Sequence, residues 1–181
     1  MTQTSEVKCD RLFALYDADG DGYITRNDID LLLRSLLGNA GLDADSPKGL
    51  AVSREFADVW EELAGLADAD SDGRVTRDEY RAAMAGLPPE AARLHEAYRR
   101  ALGAWFDVLD TDDDGSLPAD WLAGMYAHGN IPAQDAAEAV RAMDTNGDGS
   151  IERDEFVAMW MDFFTNGDAE APSSRLLGQL A

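Results

Sequence analysis

The sequence has one cysteine, few basic residues and no long hydrophobic run. Cys9 stands alone among 181 residues, which excludes an internal disulfide framework and fits a reducing compartment. Lysine and arginine number 15 against 36 acidic residues, and the formal net charge is −21. Such a surface repels nucleic-acid backbones and anionic lipid headgroups, so we expect neither as a partner. Cations and basic peptides remain as candidate partners.

The first ten residues contain no apolar run of the kind that signal peptides have, and Thr2 excludes N-myristoylation. No other stretch approaches the apolar length that a membrane span requires. We therefore expect a cytoplasmic monomer that does not contact membranes. With 181 residues, 45% of them hydrophobic, the chain can build one compact domain or two small lobes.

One acidic pattern recurs four times along the chain. Acids or Asn stand at alternate positions and are followed by Gly and then by an apolar residue. The four copies are loop one (17–28, DADGDGYITRND), loop two (68–79, DADSDGRVTRDE), loop three (110–121, DTDDDGSLPADW) and loop four (144–155, DTNGDGSIERDE). They match, completely or in part, the EF-hand loop pattern D-x-[DN]-x-[DN]-G-x5-E. A single match would be consistent with a solvated acidic turn, but four matches in register disfavour that interpretation.

Apolar residues flank every loop at helical spacing, which places them on one face of a helix before the loop and of another after it. We therefore predict an all-α fold of four EF-hand helix-loop-helix units in two pairs, packed as a compact globule. The flanking residues are Phe13, Tyr16 and Ile29 around loop one, Ala64, Ala67 and Tyr80 around loop two, Phe106, Leu109 and Leu122 around loop three, and Val140, Met143 and Phe156 around loop four.

The predicted domains are an N-terminal pair at 1–86 and a C-terminal pair at 90–165, followed by a tail at 166–181. Pro88 and Pro89 interrupt any continuous helix between the pairs, because proline lacks a donor and opposes helical geometry before it.

The two units of the first pair are further apart in sequence than those of the second. Gly, Asn, Pro and Ser at 38–49 predict a longer helix-helix connection there. The eighth loop residues, Ile24, Val75, Leu117 and Ile151, suit short strand contacts between paired loops.

Calcium takes six to eight oxygen ligands, which such loops supply from side chains one, three and five, the carbonyl of seven and an acid at twelve. Loops one, two and four satisfy this requirement, with Tyr23, Arg74 and Ser150 acting through their carbonyls. The candidate metal ligands are Asp17, Asp19, Asp21, Tyr23 and Asp28 in loop one, Asp68, Asp70, Asp72, Arg74 and Glu79 in loop two, and Asp144, Asn146, Asp148, Ser150 and Glu155 in loop four.

Two loops depart from the pattern at their twelfth position. Loop one ends in Asp28, one methylene shorter than Glu, so we expect magnesium to compete with calcium there. Loop three ends in Trp121 and has Pro118 at its ninth position. An indole offers no oxygen to a metal, so we predict that loop three binds no ion and serves as the structural partner of loop four. The sequence therefore predicts three calcium ions.

The whole pattern resembles the sarcoplasmic calcium-binding protein family, in particular its bacterial members of the calerythrin type. The resemblance rests on four EF-hands with one degenerate, a long first connection, a first loop that ends in Asp, and the tail from Phe163 to Pro172. It implies a compact globule that buffers or transports calcium. It also implies a tail that folds back between the lobes through Leu176, Leu177 and Leu180, and a frayed terminus is the alternative.

We predict a calcium buffer or signal modulator. The alternative is a calcium sensor that opens a groove for the helix of a target protein, since such grooves are rich in methionine. We do not expect an enzyme, because neither histidine, His95 or His128, stands near a nucleophile pattern. The five internal methionines are Met84, Met125, Met143, Met159 and Met161.

Overall fold

The structure is a computed structural model that describes residues 3–85, 91–128, 131–165 and 171–176. The predicted joint at 86–90 lies outside these ranges. So do the tail residues 166–170 and 177–181, which include Leu177 and Leu180.

Helices dominate the described residues, as the flanking patterns predict. The helices are α1 (Gln3–Tyr16), α2 (Arg26–Ala40), α3 (Pro47–Ala67), α4 (Arg77–Ala85), α5 (Ala91–Leu109), α6 (Ala119–His128), α7 (Ala133–Met143) and α8 (Arg153–Thr165). The strands are β1 (Tyr23–Ile24), β2 (Val75–Thr76), β3 (Ser116–Pro118) and β4 (Ser150–Glu152), and a 3₁₀ turn covers Pro172–Arg175. Within the described ranges, no helix has the length and apolar character that crossing a membrane requires.

The loops pair through two short antiparallel sheets, one of β1 with β2 and one of β3 with β4. Ile24 lies opposite Val75, and Leu117 lies opposite Ile151. All four side chains are buried, where apolar and mostly β-branched residues suit a pleated surface. The predicted pairing of first with second loop and third with fourth is confirmed, together with its register.

The chain divides into two compact units, Met1–Val108 and Leu109–Ala181. Nearly all of α5 thus belongs to the first unit, although this helix leads into loop three. The Tyr98 ring of α5 stacks on Tyr16, with ring centroids 6.5 Å apart. The Arg100 guanidinium of α5 donates to Glu55 at 2.8 Å and to Asp58 at 3.0 Å, both on α3. The predicted domain limits of 1–86 and 90–165 stay a prediction.

The first unit has an aromatic core at the point where α1 meets α4. Phe13 and Tyr80 are fully buried, with their ring centroids 6.0 Å apart in an edge-to-face arrangement. The Tyr16 ring meets Tyr80 at 6.5 Å. Arg81 of α4 donates to both carboxylate oxygens of Asp10 on α1, at 2.8 and 2.7 Å. This core holds the helix that precedes loop one against the helix that follows loop two.

The second unit is built around Trp160 of α8. Its indole N–H donates to the hydroxyl of Tyr126 at 3.1 Å, and its ring contacts the Phe163 ring at 6.0 Å. The described tail residues pack against α7 and α8. Leu176 is 1% exposed, and the Ser173 hydroxyl donates to Asp162 at 2.6 Å. Insertion of the tail between the lobes stays a prediction.

The connection between α2 and α3 is shorter than the composition of 38–49 predicts. Helix α2 continues through Gly38 to Ala40, and α3 begins at Pro47, which leaves 41–46 between them. Gly41 ends α2 in the left-handed conformation, with φ of 65°, as glycine commonly does after a helix. Ser46 begins α3 by accepting from the Gly49 N–H at 3.1 Å, and proline is well tolerated at the next position.

Gly49 offers a test of this tight helix start. A Cβ at this position would lie 2.5 Å from the Asp43 carbonyl oxygen and 2.7 Å from that of Ala44. Because both neighbours are backbone atoms, we expect Gly49→Ala to lower the free energy of unfolding by about 1–3 kcal/mol. A Cβ at Gly65 on the same helix would meet nothing within 4 Å. Gly65→Ala should therefore raise the free energy of unfolding by up to about 1 kcal/mol. Urea unfolding at a fixed calcium concentration measures both, and equal effects of the two changes would contradict the packing described.

Candidate metal centres

All four loops share one backbone conformation, left-handed at the fourth and sixth positions. The sequence predicts this for the sixth position, where glycine stands in every loop. The fourth position was missed, and its only signals were Gly20 and Gly147. The φ values at the fourth position are 74° for Gly20, 59° for Ser71, 58° for Asp113 and 74° for Gly147, and at the sixth position 91° for Gly22, 83° for Gly73, 85° for Gly115 and 86° for Gly149. Loop three therefore differs from the others in its side chains.

The first acid of each loop is held by the N–H of the sixth residue. This N–H donates to the Oδ2 atom of Asp17 at 3.1 Å, of Asp68 at 3.0 Å, of Asp110 at 2.9 Å and of Asp144 at 3.0 Å. In loop one the other oxygen, Oδ1 of Asp17, is buried and has no hydrogen-bond partner. A buried carboxylate oxygen without a donor is unfavourable, and a bound cation would satisfy it. The residues of loop one thus fit a metal ion.

The twelfth acid closes loops two and four by accepting from the second and ninth residues. Glu79 accepts from the Ala69 N–H at 3.1 Å and from the Thr76 N–H at 2.8 Å. Glu155 accepts from the Thr145 N–H at 2.8 Å and from the Glu152 N–H at 3.2 Å. These bonds position a carboxylate over each loop.

Backbone and side-chain hydrogen bonds with the second and ninth residues keep both glutamates ionised. Bonds from Thr76 hold the pKa of Glu79 below its usual value. Desolvation would raise the pKa of Glu155, but bonds from Thr145 and Glu152 lower it to about 2. Donors that bind the charged form stabilise it, so both side chains are anionic at neutral pH and able to bind a cation.

The shorter Asp28 reaches the corresponding donors in loop one. Its Oδ1 accepts from Ala18 at 3.1 Å and from Asp19 at 3.2 Å, and its Oδ2 accepts from the Thr25 N–H at 2.8 Å and hydroxyl at 2.6 Å. Asp28 is fully buried. Loop one therefore closes with an Asp, and its last acid lies deeper than Glu79 or Glu155.

Three groups of acids have oxygens within 4.8 Å of one another in the described chain. They are Asp17, Asp19 and Asp28 in loop one, Asp68, Asp70 and Asp72 in loop two, and Asp110, Asp112 and Asp114 in loop three. Loop four forms no all-acid group of this kind. Asn146 stands at its third position and donates to Asp148 at 3.1 Å. The number of acid groups equals the predicted number of calcium ions, but one of them lies in loop three.

Loop three has lost both partners of the closing hydrogen bond between the ninth and twelfth residues, and the acceptor for its second residue, Thr111. Trp121 at the twelfth position cannot accept it, and Pro118 at the ninth position has no N–H to donate. The Trp121 side chain is 47% exposed. In place of the closing acid, β3 holds this loop to β4, where the Ala119 N–H donates to the Gly149 carbonyl at 3.0 Å. Three carboxylates remain without the fourth side-chain oxygen that the other loops supply.

The seventh residues lie at the strand pairing. Tyr23 begins β1, Ser150 begins β4, and Arg74 directly precedes β2. The sequence assigns Arg74 only a carbonyl role, but its side chain donates to Oδ2 of Asp72 at 3.1 and 2.7 Å. This hydrogen bond lowers the pKa of Asp72. The guanidinium also lies over the Tyr23 ring of loop one, 4.7 Å from its centroid. Arg74 therefore competes with a cation for one predicted ligand.

Comparison with known proteins agrees with this geometry. The profile of the EF-hand domain pair matches residues 6–85 and 99–161. A sarcoplasmic calcium-binding protein beta chain from Penaeus sp. is 29% identical over 174 residues, covering 92% of this chain and 91% of the relative. Calerythrin from Saccharopolyspora erythraea is 28% identical over 167 residues, covering 88% of this chain and 93% of the relative.

A solved structure is also similar. A Streptomyces coelicolor calcium-binding protein, described in connection with prokaryotic calcium-mediated regulation, is 34% identical, with a TM-score of 0.75. The match covers 89% of this chain and 98% of that protein.

Ion counting tests the assignment of loops. We expect calorimetry to count three calcium ions, and Glu79→Gln and Glu155→Gln to remove one each. Loss of a second-sphere group alone costs about 10–100-fold in metal affinity, so loss of a ligand should cost at least as much. Millimolar magnesium should lower the calcium affinity of loop one most, and Asp17→Ala should remove the ion of this loop. Trp121→Phe is the matched control and should leave the count at three. A fourth ion of equal affinity would contradict the account of loop three.

The ion pair of Arg74 has its own consequence. Arg74→Gln frees Asp72 and removes a positive charge, so we expect calcium affinity at loop two to rise by about 1.5- to 5-fold, the modest effect of an exposed ion pair. Arg77→Gln makes the same charge change within the same loop, at a side chain that pairs with Asp10 of α1 and not with Asp72, and is the control. Calcium titration of both variants measures the effect. An equal gain in both would attribute it to net charge and not to the contact with Asp72.

Proposed function

This chain belongs to the EF-hand family of calcium-binding proteins, and within it to the sarcoplasmic calcium-binding proteins of the bacterial calerythrin type; from that premise we propose that it is a calcium buffer or signal modulator. Calcium binding itself follows from the family. The assignment of ions to loops, and the use made of them, are our proposal.

We assign the three ions to loops one, two and four. The buried and unpartnered Oδ1 of Asp17 supports loop one. Loops two and four have a closing glutamate held by two backbone donors. Asn146 replaces an acid in loop four, but its amide oxygen is a suitable ligand for calcium. Loop three has three acids and no twelfth oxygen, so we assign it no ion.

Loop one is the site at which magnesium would compete. Asp28 accepts four hydrogen bonds with its two oxygens and is fully buried. A short acid held in this way cannot easily reach over to bind an ion with both oxygens. Fewer ligands and a tighter cage favour the octahedral geometry of magnesium, with distances of about 2.0–2.1 Å. Buffers with mixed calcium and magnesium sites bind calcium most tightly, with Kd of about 10⁻⁹–10⁻⁸ M.

The packing of the tail carries the choice of buffer over sensor. A sensor presents a methionine-rich groove to a target helix, whereas here residues 171–176 cover part of α7 and α8. Leu176 is 1% exposed, and Met143 and Met161 are buried. The large apolar side chains exposed in the described ranges are Leu15, Leu50 and Trp121. None of them is a methionine, and Met84, Met125 and Met159 are only partly exposed.

A sensor is the second candidate, because one relative supports it. The Streptomyces coelicolor protein is connected with calcium-mediated regulation, and a sensor would need calcium to release the tail and free α7 and α8 for the helix of a target protein. Either function is binding and not catalysis. We place the protein in the cytoplasm as a monomer, where the buried thiol of Cys9 suits a reducing environment.

A hydrophobic dye separates the two candidates. For a buffer, we expect calcium to leave dye emission of the full chain nearly unchanged, since the tail stays packed. Leu176→Asp places a charge in an apolar site and should release the tail, so that dye emission rises strongly. Leu50→Asp makes the same change at a side chain that is 58% exposed and should have little effect. A large rise of emission with calcium in the unmodified chain would instead establish the sensor.

A further inference from the structure

A pocket of about 260 Å³ is formed by loop three and the preceding Leu109, within the second unit. Leu109, Leu117, Pro118 and Trp121 give it apolar walls, and Asp110 and Asp112 give it two carboxylates. The residue Trp121 is 47% exposed, and Asp110 is buried. The pocket therefore combines a flat aromatic surface that is open to solvent with fixed negative charge.

Trp121 and Pro118, which replace the closing acid and one of its donors, both line this pocket. In loops one, two and four the twelfth carboxylate spans the loop and accepts from both sides of it. Trp121 and Pro118 make no such bond. The Asp110 carboxylate is held by the loop backbone, because it accepts from the N–H groups of Asp114 at 3.2 Å and Gly115 at 2.9 Å. The acids of this loop thus keep their geometry although the loop lacks a complete metal cage.

The surroundings of the pocket are strongly negative. From Leu109 to Ala181 the chain has fifteen acidic residues, and Arg141, Arg153 and Arg175 are its only basic ones. No ion pair joins Asp112 to a basic side chain in the described part of the chain. A field of this sign attracts cations and basic segments of other chains.

We propose that this pocket binds an arginine side chain of a partner polypeptide. A guanidinium can stack on the face of the Trp121 indole while its N–H groups donate to Asp112. Its planar shape and weak hydration suit a pocket with three aliphatic walls better than the compact, strongly hydrated ammonium of lysine. A divalent metal fits less well, because an indole stands where its bidentate ligand is required. The partner is thus a basic segment with an accessible arginine.

Nuclear magnetic resonance of the full chain at saturating calcium tests the proposal. Each of the four tryptophans gives one indole N–H signal, and Trp121→Phe identifies that of Trp121 by its loss. The probe is a short peptide with one arginine between uncharged residues, and its counterpart has neutral citrulline at the same place. We expect the arginine peptide to shift the Trp121 signal in a saturable manner and to bind at least about threefold more tightly than the citrulline peptide, the effect of a cation-π contact at an exposed site.

A pair of charge-matched variants separates the pocket from the general field. Asp112→Asn should weaken arginine binding by about three- to tenfold through loss of a charge-assisted hydrogen bond. Asp45→Asn removes the same charge from the exposed connection 41–46 and should leave binding unchanged. The other three indole signals report that each variant remains folded. Equal affinity for the two peptides, equal loss in the two variants, or a shift confined to the other indole signals would overturn the proposal.

Discussion

Repulsion among carboxylates that are held close together is the constraint on which this structure depends. Oxygens of three acids lie within 4.8 Å of one another in loops one, two and three, a distance at which two like charges repel by roughly 1–3 kcal/mol near a protein surface. Backbone N–H groups hold the acids in place despite this repulsion, with the sixth residue binding the first acid and the second and ninth residues binding the twelfth. A divalent cation removes the repulsion and finds its ligands already oriented, so ion binding and the stability of the fold are linked.

The paired arrangement of the loops explains why a loop without a closing acid persists. Loop four needs a strand partner, and β3 provides one through the register of Leu117 with Ile151. Loop three retains the left-handed residues Asp113 and Gly115 and therefore the shape that positions β3. The proline and tryptophan of this loop remove the donor and the acceptor of the bond between the ninth and twelfth residues together, so that this bond leaves no unpaired partner. What remains is a strand for loop four and an acidic pocket that faces solvent.

Sequence reasoning recovers the features that repeat. Alternating acids, an obligatory glycine and helical spacing around each loop predict the four units, their pairing and the contact of Ile24 with Val75, because all of these depend on local geometry. Sequence reasoning fails where residues that are far apart in the sequence make contact. The packing of α5 with the first unit depends on the contacts of Tyr98 with Tyr16 and of Arg100 with Glu55, which no local pattern contains. The side chain of Arg74 was misjudged because its loop position prescribes only a carbonyl, and the end of α2 depends on the left-handed Gly41 lying beyond Gly38.

The guanidinium of Arg74 touches both members of the first loop pair, through Asp72 in loop two and the Tyr23 ring in loop one. A calcium ion that used the Oδ2 atom of Asp72 would displace this guanidinium, and the released charge would change the environment of the neighbouring loop. An arginine that contributes no side-chain ligand would thus link the filling of loops one and two as free calcium rises.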